Sequence, residues 1–401
     1  MSQIHWKRIG LIAGALCFTL TALFFNPKPD QPEVGLMAAV ATLMAILWIT
    51  EAIPLAATAL IPLVVLPLFG ILDSGTVSKS YINSMIFLFI GGFLIALCME
   101  RWNLHRRIAL NIIRRAGNRA DLLVLGFMVA SGFLSMWISN VATTVMMLPI
   151  GLAIISKMEE AFGRDRSHTL AVLLMLGIAY ASSIGGVATL VGTPTNLVFV
   201  RIFHESFPDA PYITFGEWMI IGIPYAVVML GLAWVFLTRV VYPVDRSLFL
   251  DRGIIEKELK DLGRLNPAEL RILIMFCATV FLWTFRKDLN LGFIQIPGWS
   301  SLWAGFSSID DGTVAIAIAI LLFIIPAGRD NPSQRLLDKD VFKRVPWDVI
   351  LLFGGGYALA TGFIQSGLAQ YIGEAFPASQ DIPDWVFVLV ICLAITFMTE
   401  L

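Results

Sequence analysis

Long apolar stretches, broken by short polar clusters, set the first reading of this chain. Residues 34–49, 122–138 and 314–325 carry almost no ionisable side chains. About 20 apolar residues cross a bilayer as a helix, so such runs predict membrane-spanning helices. Uninterrupted spans are predicted at 9–25, 34–50, from Pro54 to near 72, and at 84–99, 218–240, 272–285 and 313–325. Two further runs are interrupted. In WISNVATTVMMLPI, residues 137–150, Ser139, Asn140, Thr143 and Thr144 sit together inside apolar sequence. Beyond them only 145–156 is apolar before Lys157-Met158-Glu159-Glu160. That arm is too short for a crossing, and both flanks are basic. The pattern predicts a re-entrant hairpin over 121–156, turning at 139–144. The second interrupted run, 170–200, contains Gly192-Thr193-Pro194-Thr195-Asn196. Proline removes an amide donor and glycine frees the backbone, so a broken span is expected over 169–200.

Composition and charge fix the medium and the direction. The chain has 401 residues, 58% hydrophobic and 14% charged, against about 25% charged for soluble domains. It reads as an all-α polytopic membrane protein in the lipid bilayer of the plasma (inner) membrane. Basic residues mark the cytoplasmic side. Lys7 and Arg8 place the N-terminus there, and Arg101, Arg106, Arg107, Arg114, Arg115 and Arg119 place the loop after 99 there. Helices with an apolar stripe, Leu104, Ile108 and Ile112, are expected to lie flat in the interface. Segment 242–269 reads as a partly helical cytoplasmic connector. A net charge of −1 gives no reason to expect a nucleic-acid partner. Cys17, Cys98, Cys277 and Cys392 have no metal-ligand spacing and read as small core residues. The four histidines form no motif. Buried segments offer no nucleophile, metal ligands or acid–base pair, so the sequence does not read as an enzyme. An anion channel is the alternative from a different class, since re-entrant hairpins also build pores.

One pattern recurs. FLFIGGFLIALCMERWNLHRRIAL, from Phe87, aligns with LLFGGGYALATGFIQSGLAQYIGEA, from Leu351, so that 89–93 matches 353–357 at an offset of 264. The first copy runs into arginines, whereas 364–385 contains no Lys or Arg. The two units therefore have opposite orientation, and inverted repeats are a signature of secondary transporters. The organisation expected is 1–83 as N-terminal scaffold helices and 84–217 as first-repeat transport elements. Residues 218–346 would be scaffold helices plus connector, and 347–401 the start of the inverted second repeat. The same offset carries Ser135 onto Thr399 and would put a second Ser-Asn tip beyond Leu401, so the sequence is expected to be an incomplete chain.

A hairpin tip and a broken helix meeting near the midplane would form an ion site. Carbonyls at helix ends coordinate Na⁺, and helix N-termini attract anions. Asn140 offers an amide oxygen, Ser135 and Ser139 offer hydroxyls or carbonyls, and 192–194 offers loose carbonyls. Thr143 and Thr144 could cap the second arm. Neither polar cluster holds Lys, Arg, Asp or Glu, so a charged substrate would be held by dipoles, hydroxyls and a bound cation. Glu51, in WITEAIPL, falls at the turn before Pro54 and reads as a structural or capping residue.

WITEAIPL at 48–55, Ser139-Asn140 followed by ATTVMMLPI, Gly192-Thr193-Pro194-Thr195-Asn196 and the two Gly-Gly segments together resemble the divalent anion/sodium symporter family, carriers of dicarboxylates, citrate or sulfate. The resemblance covers essentially the whole chain. It implies a homodimer with a scaffold and a moving transport part, an elevator mechanism, Na⁺ as coupling ion and a small anionic substrate, most simply a C4 dicarboxylate such as succinate. Na⁺-independent exchange, or citrate or sulfate carriage, are alternatives on the same fold. By resemblance Ser135, Ser139, Asn140 and Gly192 line one Na⁺ site, and Thr399 belongs to a second. Asn140, Thr193 and Pro194 lie by the substrate, with Val141 and Thr143 among the substrate-binding positions. Val141 departs from the family, which has Thr there. Valine keeps the branched shape but has no hydroxyl to donate.

Overall fold

A computed structural model of the chain describes residues 3–117, 119–244, 253–290, 294–328, 333–375 and 383–398. The architecture is almost wholly helical. Among the described residues, eight helices are long and apolar enough to cross a membrane. Many large apolar side chains are exposed, including Leu23, Ile221, Val227 and Leu232. Apolar surface on this scale is unusual for a soluble monomer and fits contact with lipid. The chain divides into two compact units, 1–83 with 346–401, and 84–345.

The first unit opens with α1 (Gln3–Phe24) and α2 (Pro32–Thr50), which pack against each other. Pro32 sits at the start of α2, where its missing N–H costs nothing. Exposed Glu51 ends α2 in the left-handed conformation, with φ of 46°. The span expected from Pro54 to near 72 is instead two pieces, α3 (Leu55–Thr58) and α4 (Ile61–Leu68), with Pro62 near the start of the second. The polar stretch after it is a helix, α5 (Ser74–Tyr81), because Asp73 accepts from the Thr76 N–H at 3.0 Å and caps it.

The second unit begins with α6 (Ser84–Arg101) and α7 (Leu104–Ala116), then α8 (Ala120–Ser135), α9 (Asn140–Phe162), α10 (Arg164–Gly186) and α11 (Pro194–Ser206). It continues through α12 (Phe215–Val235), which widens into a π-helical turn at Phe236–Val241, then α13 (Gly253–Asp261), α14 (Pro267–Thr284) and α15 (Asp311–Ile324). Capping boxes start two of these helices, Thr214 with Glu217 for α12 and Asn266 with Glu269 for α14. Helices α7 to α10 share one core, built around Leu110, Ile113, Phe127, Met128, Leu173 and Leu174. On α7 the fully buried line is Leu104, Ala109, Leu110 and Ile113, while Ile108 and Ile112 are only half-buried. A two-residue strand pair, Leu289–Asn290 with Gln295–Ile296, had no counterpart in the hydropathy pattern.

The chain returns to the first unit with α16 (Trp347–Gln365), α17 (Leu368–Ala375) and α18 (Asp384–Met398). Helix α16 packs on α5, α3 and α4, and its Tyr357 and Ala358 are buried. The cysteines follow the expected core role only in part. Cys98 is buried, Cys17 is intermediate, and Cys277 and Cys392 are exposed, because a residue facing lipid can be as apolar as one in the interior.

Candidate functional site

The polar hairpin and the helix break fall slightly away from their expected places. The hairpin turn occupies 136–139, and Asn140 to Thr144 form the first turn of α9 rather than the bend itself. Ser139 is the N-cap of α9, its Oγ accepting from the Ala142 N–H at 3.3 Å. That cap is worth about 1 kcal/mol. The second arm runs to Phe162, well past 156, and Asn140–Phe162 is one of the eight helices long and apolar enough to cross a membrane, so the arm is longer than the 145–156 run that read as too short for a crossing. In the second broken run α10 stops at Gly186, the irregular segment is 187–193, and Pro194 already stands at the first position of α11. Proline's fixed φ suits a helix start, so Pro-Thr-Asn opens the helix instead of interrupting it.

These two interruptions meet. Ser135, the last residue of α8 and buried, donates from Oγ to Asn140 Oδ1 at 2.8 Å. A methyl group built on Gly186 would lie 2.2 Å from Asn140 Oδ1. One built on Gly192 would lie 2.8 Å from the Ser135 carbonyl oxygen and 2.6 Å from that of Gly186. The missing Cβ at each glycine therefore lets the Asn140 amide oxygen and the Ser135 and Gly186 carbonyls come close together, in one small cradle. Among the described residues no hydrogen bond is donated to the carbonyl oxygens of Ser135 or Gly192. Helices α8 and α10 bring their C-terminal, electronegative ends here, and α9 and α11 bring their electropositive starts. Oxygens of the first pair suit a cation, and amides of the second pair suit an anion.

The other candidate residues lie around this cradle. Val141 is 74% exposed, while Thr143 is fully buried with its hydroxyl unpartnered among the described residues. Two residues apart on a helix, they occupy opposite faces of α9. Thr193 caps α11 without a side-chain bond to its amides, and its Oγ1 lies 3.4 Å from Thr195 Oγ1. Thr399 lies outside the described residues.

Sequence reasoning passed over two residues that hold the break together. Asn196 donates from Nδ2 to the carbonyls of Gly186, at 3.0 Å, and Thr189, at 2.7 Å. Thr189 donates to the Met136 carbonyl and accepts from the Gly192 N–H. Asn196 was legible as the close of the Gly-Thr-Pro-Thr-Asn run. Thr189, inside VATLV, gave no signal of its own. Behind the hairpin turn the Trp137 ring meets Phe276 edge-on, centroids 5.0 Å apart, and stacks on Phe215 at 6.5 Å. Phe215 stacks in turn on Trp283 at 4.7 Å. Such pairs add about 0.5–1.5 kcal/mol each beyond their buried area, so the turn rests on a stiff aromatic support. Trp218 Nε1 donates to the Val187 carbonyl at 2.9 Å and holds the start of the break against α12.

Fold and site together define a multi-pass integral membrane protein whose interrupted helices gather uncharged oxygens and amides in one place. The sequence profile described as the sodium:sulfate symporter transmembrane region matches residues 4–401, and the chain belongs to this family, the divalent anion/sodium symporters. Its relatives are transporters rather than enzymes. The chain is 41% identical over 398 residues to the sodium-dependent dicarboxylate transporter SdcS of Staphylococcus saprophyticus, with 98% of this chain and 74% of the relative covered. It is 43% identical over 388 residues to the protein of the same name from Staphylococcus aureus strain NCTC 8325, covering 95% of this chain and 72% of the relative.

Proposed function

We propose that this protein is a secondary active transporter of the plasma membrane that couples Na⁺ to uptake of a C4 dicarboxylate such as succinate. The carrying observation is the convergence of the Ser135 carbonyl, Asn140 Oδ1 and Gly192 in one cradle without an ionisable side chain. An oxygen-lined cradle at two helix C-termini suits Na⁺. Ser139 completes it from the N-cap of α9. The bound cation and the starts of α9 and α11, with Asn140, Thr193 and Pro194 beside them, would then receive the carboxylates. Val141 and Thr143 remain substrate-side positions in this reading. The dicarboxylate assignment is supported by the two staphylococcal relatives, both named as sodium-dependent dicarboxylate transporters.

An inverted repeat, a scaffold separate from a moving transport part, and an elevator mechanism in a homodimer belong to the same proposal. In this reading 84–217 carries first-repeat transport elements, 1–83 and 218–346 supply scaffold and connector, and 347–401 begins the second repeat. The recurrence of helix bounds supports it. Helices α7 and α8 start at Leu104 and Ala120, and α17 and α18 start at Leu368 and Asp384, each 264 positions later. The residue before each interfacial-type helix also repeats its geometry, with Asn103 at φ 58° and Gly367 at φ 80°.

Reconstituted into proteoliposomes, the protein is expected to accumulate labelled succinate under an inward Na⁺ gradient and not under an equal K⁺ gradient. Asn140→Ala should abolish that uptake with normal expression and dimerisation. Uptake indifferent to Na⁺ would point to an exchanger of the same fold. Current far above carrier rates, with no accumulation against a gradient, would point to a channel.

A further inference from the structure

We propose that Thr189 is a positioning residue that sets the affinity of the cation cradle without touching the ion. The inference rests on the sodium reading given above. Thr189 is fully buried and belongs to the irregular segment between α10 and α11. Its hydroxyl donates to the carbonyl of Met136, the residue after Ser135. The same oxygen accepts the N–H of Gly192 at 3.1 Å. Its own carbonyl accepts from Asn196 Nδ2 at 2.7 Å. One side chain therefore fastens the hairpin turn to the helix break, and its backbone is fastened in turn to the first turn of α11.

The placement of these bonds gives them their consequence. Pinning the Met136 carbonyl fixes the turn that presents the Ser135 carbonyl. Pinning the Gly192 N–H fixes the peptide whose glycine approaches that same carbonyl. Both candidate ion ligands are thus held through their neighbours, and among the described residues no hydrogen bond is donated to their own carbonyl oxygens. A cation site depends on oxygens already at their bonding distances, because any movement needed on binding is subtracted from affinity. Valine in place of threonine keeps the branched outline and removes both bonds at once, taking their partner from the buried Gly192 N–H and the part-buried Met136 carbonyl. Serine keeps the donor and the acceptor and loses only a methyl group.

The test uses the purified full chain in detergent and follows the thermal unfolding midpoint as NaCl replaces choline chloride at constant ionic strength. A ligand that binds only the folded state raises the midpoint with its concentration, whatever the transported anion. For the unaltered protein the midpoint is expected to rise with Na⁺. Thr189→Val should need about tenfold more Na⁺ for the same rise, equivalent to about 1.4 kcal/mol, and Thr189→Ser should stay within about twofold of the parent. Equal Na⁺ dependence in the valine variant and the parent, or a serine variant as impaired as the valine one, would overturn the inference while leaving the sodium site standing. An unaltered protein that ignores Na⁺ would overturn the sodium reading itself and this inference with it, and that result appears before any variant is made. If the valine variant does not fold, Thr189→Cys takes its place. Its thiol is a weak donor, so it should shift the Na⁺ requirement upward, and a parent-like requirement would overturn the inference.

Discussion

At the scale of single residues the cradle is defined as much by missing atoms as by present ones. Gly186 closes α10, and the space its absent Cβ would fill is taken by Asn140 Oδ1 at 2.2 Å. No real Cβ tolerates that distance, and neither neighbour yields easily. Asn140 is held by Ser135, and the Gly186 carbonyl is held by Asn196. Gly186→Ala should therefore push the Asn140 amide out of the cradle and lower Na⁺-driven succinate uptake by at least about tenfold, a displacement cost above roughly 1.4 kcal/mol. Gly356→Ala is the matched control. A Cβ there meets nothing within 4 Å, and alanine is the better helix former by about 1 kcal/mol. Its uptake should match the parent, with an equal or higher unfolding midpoint. Measuring uptake and midpoint together separates lost coordination from lost folding.

At the scale of helices, the ion pairs of α6 and α7 sort by how dry they are. Arg107 pairs with Glu269 at 3.0 Å, with side chains only 14% and 3% exposed, and also donates to the carbonyls of Leu262 and Gly263. One guanidinium thus holds the end of α13 and the start of α14. Arg101 at the end of α6 pairs with Asp338 at 2.6 Å, where the side chains are 31% and 46% exposed. Removing one partner of a buried pair costs about 3–5 kcal/mol, whereas an exposed pair is worth about 1 kcal/mol or less. Glu269→Ala should therefore lower the unfolding midpoint strongly and Asp338→Asn hardly at all. The exposed pair has a pH signature instead. Its hydrogen bond from Arg101 holds the Asp338 carboxyl below the usual carboxylate range. That contribution is complete above the unfolded value of about 3.9 and is lost as pH falls through the lowered one. Asp338→Asn should remove this small acid-side component from the midpoint-versus-pH curve. The sequence made the existence of these helices legible and misjudged some of their ends. Apolar length located α6, α12 and α14 within a few residues. It stopped short at α9, where Lys157 to Glu160 continue the helix after the apolar run ends, and it says nothing of α5, which an Asp73 cap starts in polar sequence. It placed the second break at Gly192–Asn196, although α10 ends at Gly186 and Pro194 starts the next helix. Thr189 was illegible for a related reason. A threonine flanked by apolar neighbours looks the same in sequence whether it fills space or joins two loops.

At the scale of the whole molecule, the open question is whether the two Gly-Gly helices are one design inserted twice in opposite directions. Each packs a glycine closely against an alanine, as copies of one design would. A Cβ on Gly91 of α6 would lie 2.5 Å from the Cβ of Ala315 in α15, a helix late in the chain. One on Gly355 of α16, 264 positions later, would lie 2.8 Å from the Cβ of Ala59, beside α3 early in the chain. Each helix of the pair thus rests a glycine on an alanine drawn from the other half of the sequence. Charge supplies the direction, since α7 carries exposed Arg114 and Arg115, while α17 and its flanks from 364 to 385 hold no basic residue. If the proposed inverted repeat holds, α7 and α17 are expected on opposite sides of the membrane. A single cysteine at Arg115 or at Gln370, both exposed, tests this in a background with the four native cysteines replaced. A membrane-impermeant maleimide applied to intact cells should label Gln370→Cys and should reach Arg115→Cys only after lysis. Labelling of both before lysis, or of neither, would put the two helices on one side. The two segments would then be parallel copies, and the contrast in basic residues around α7 and α17 would mark no reversal of direction.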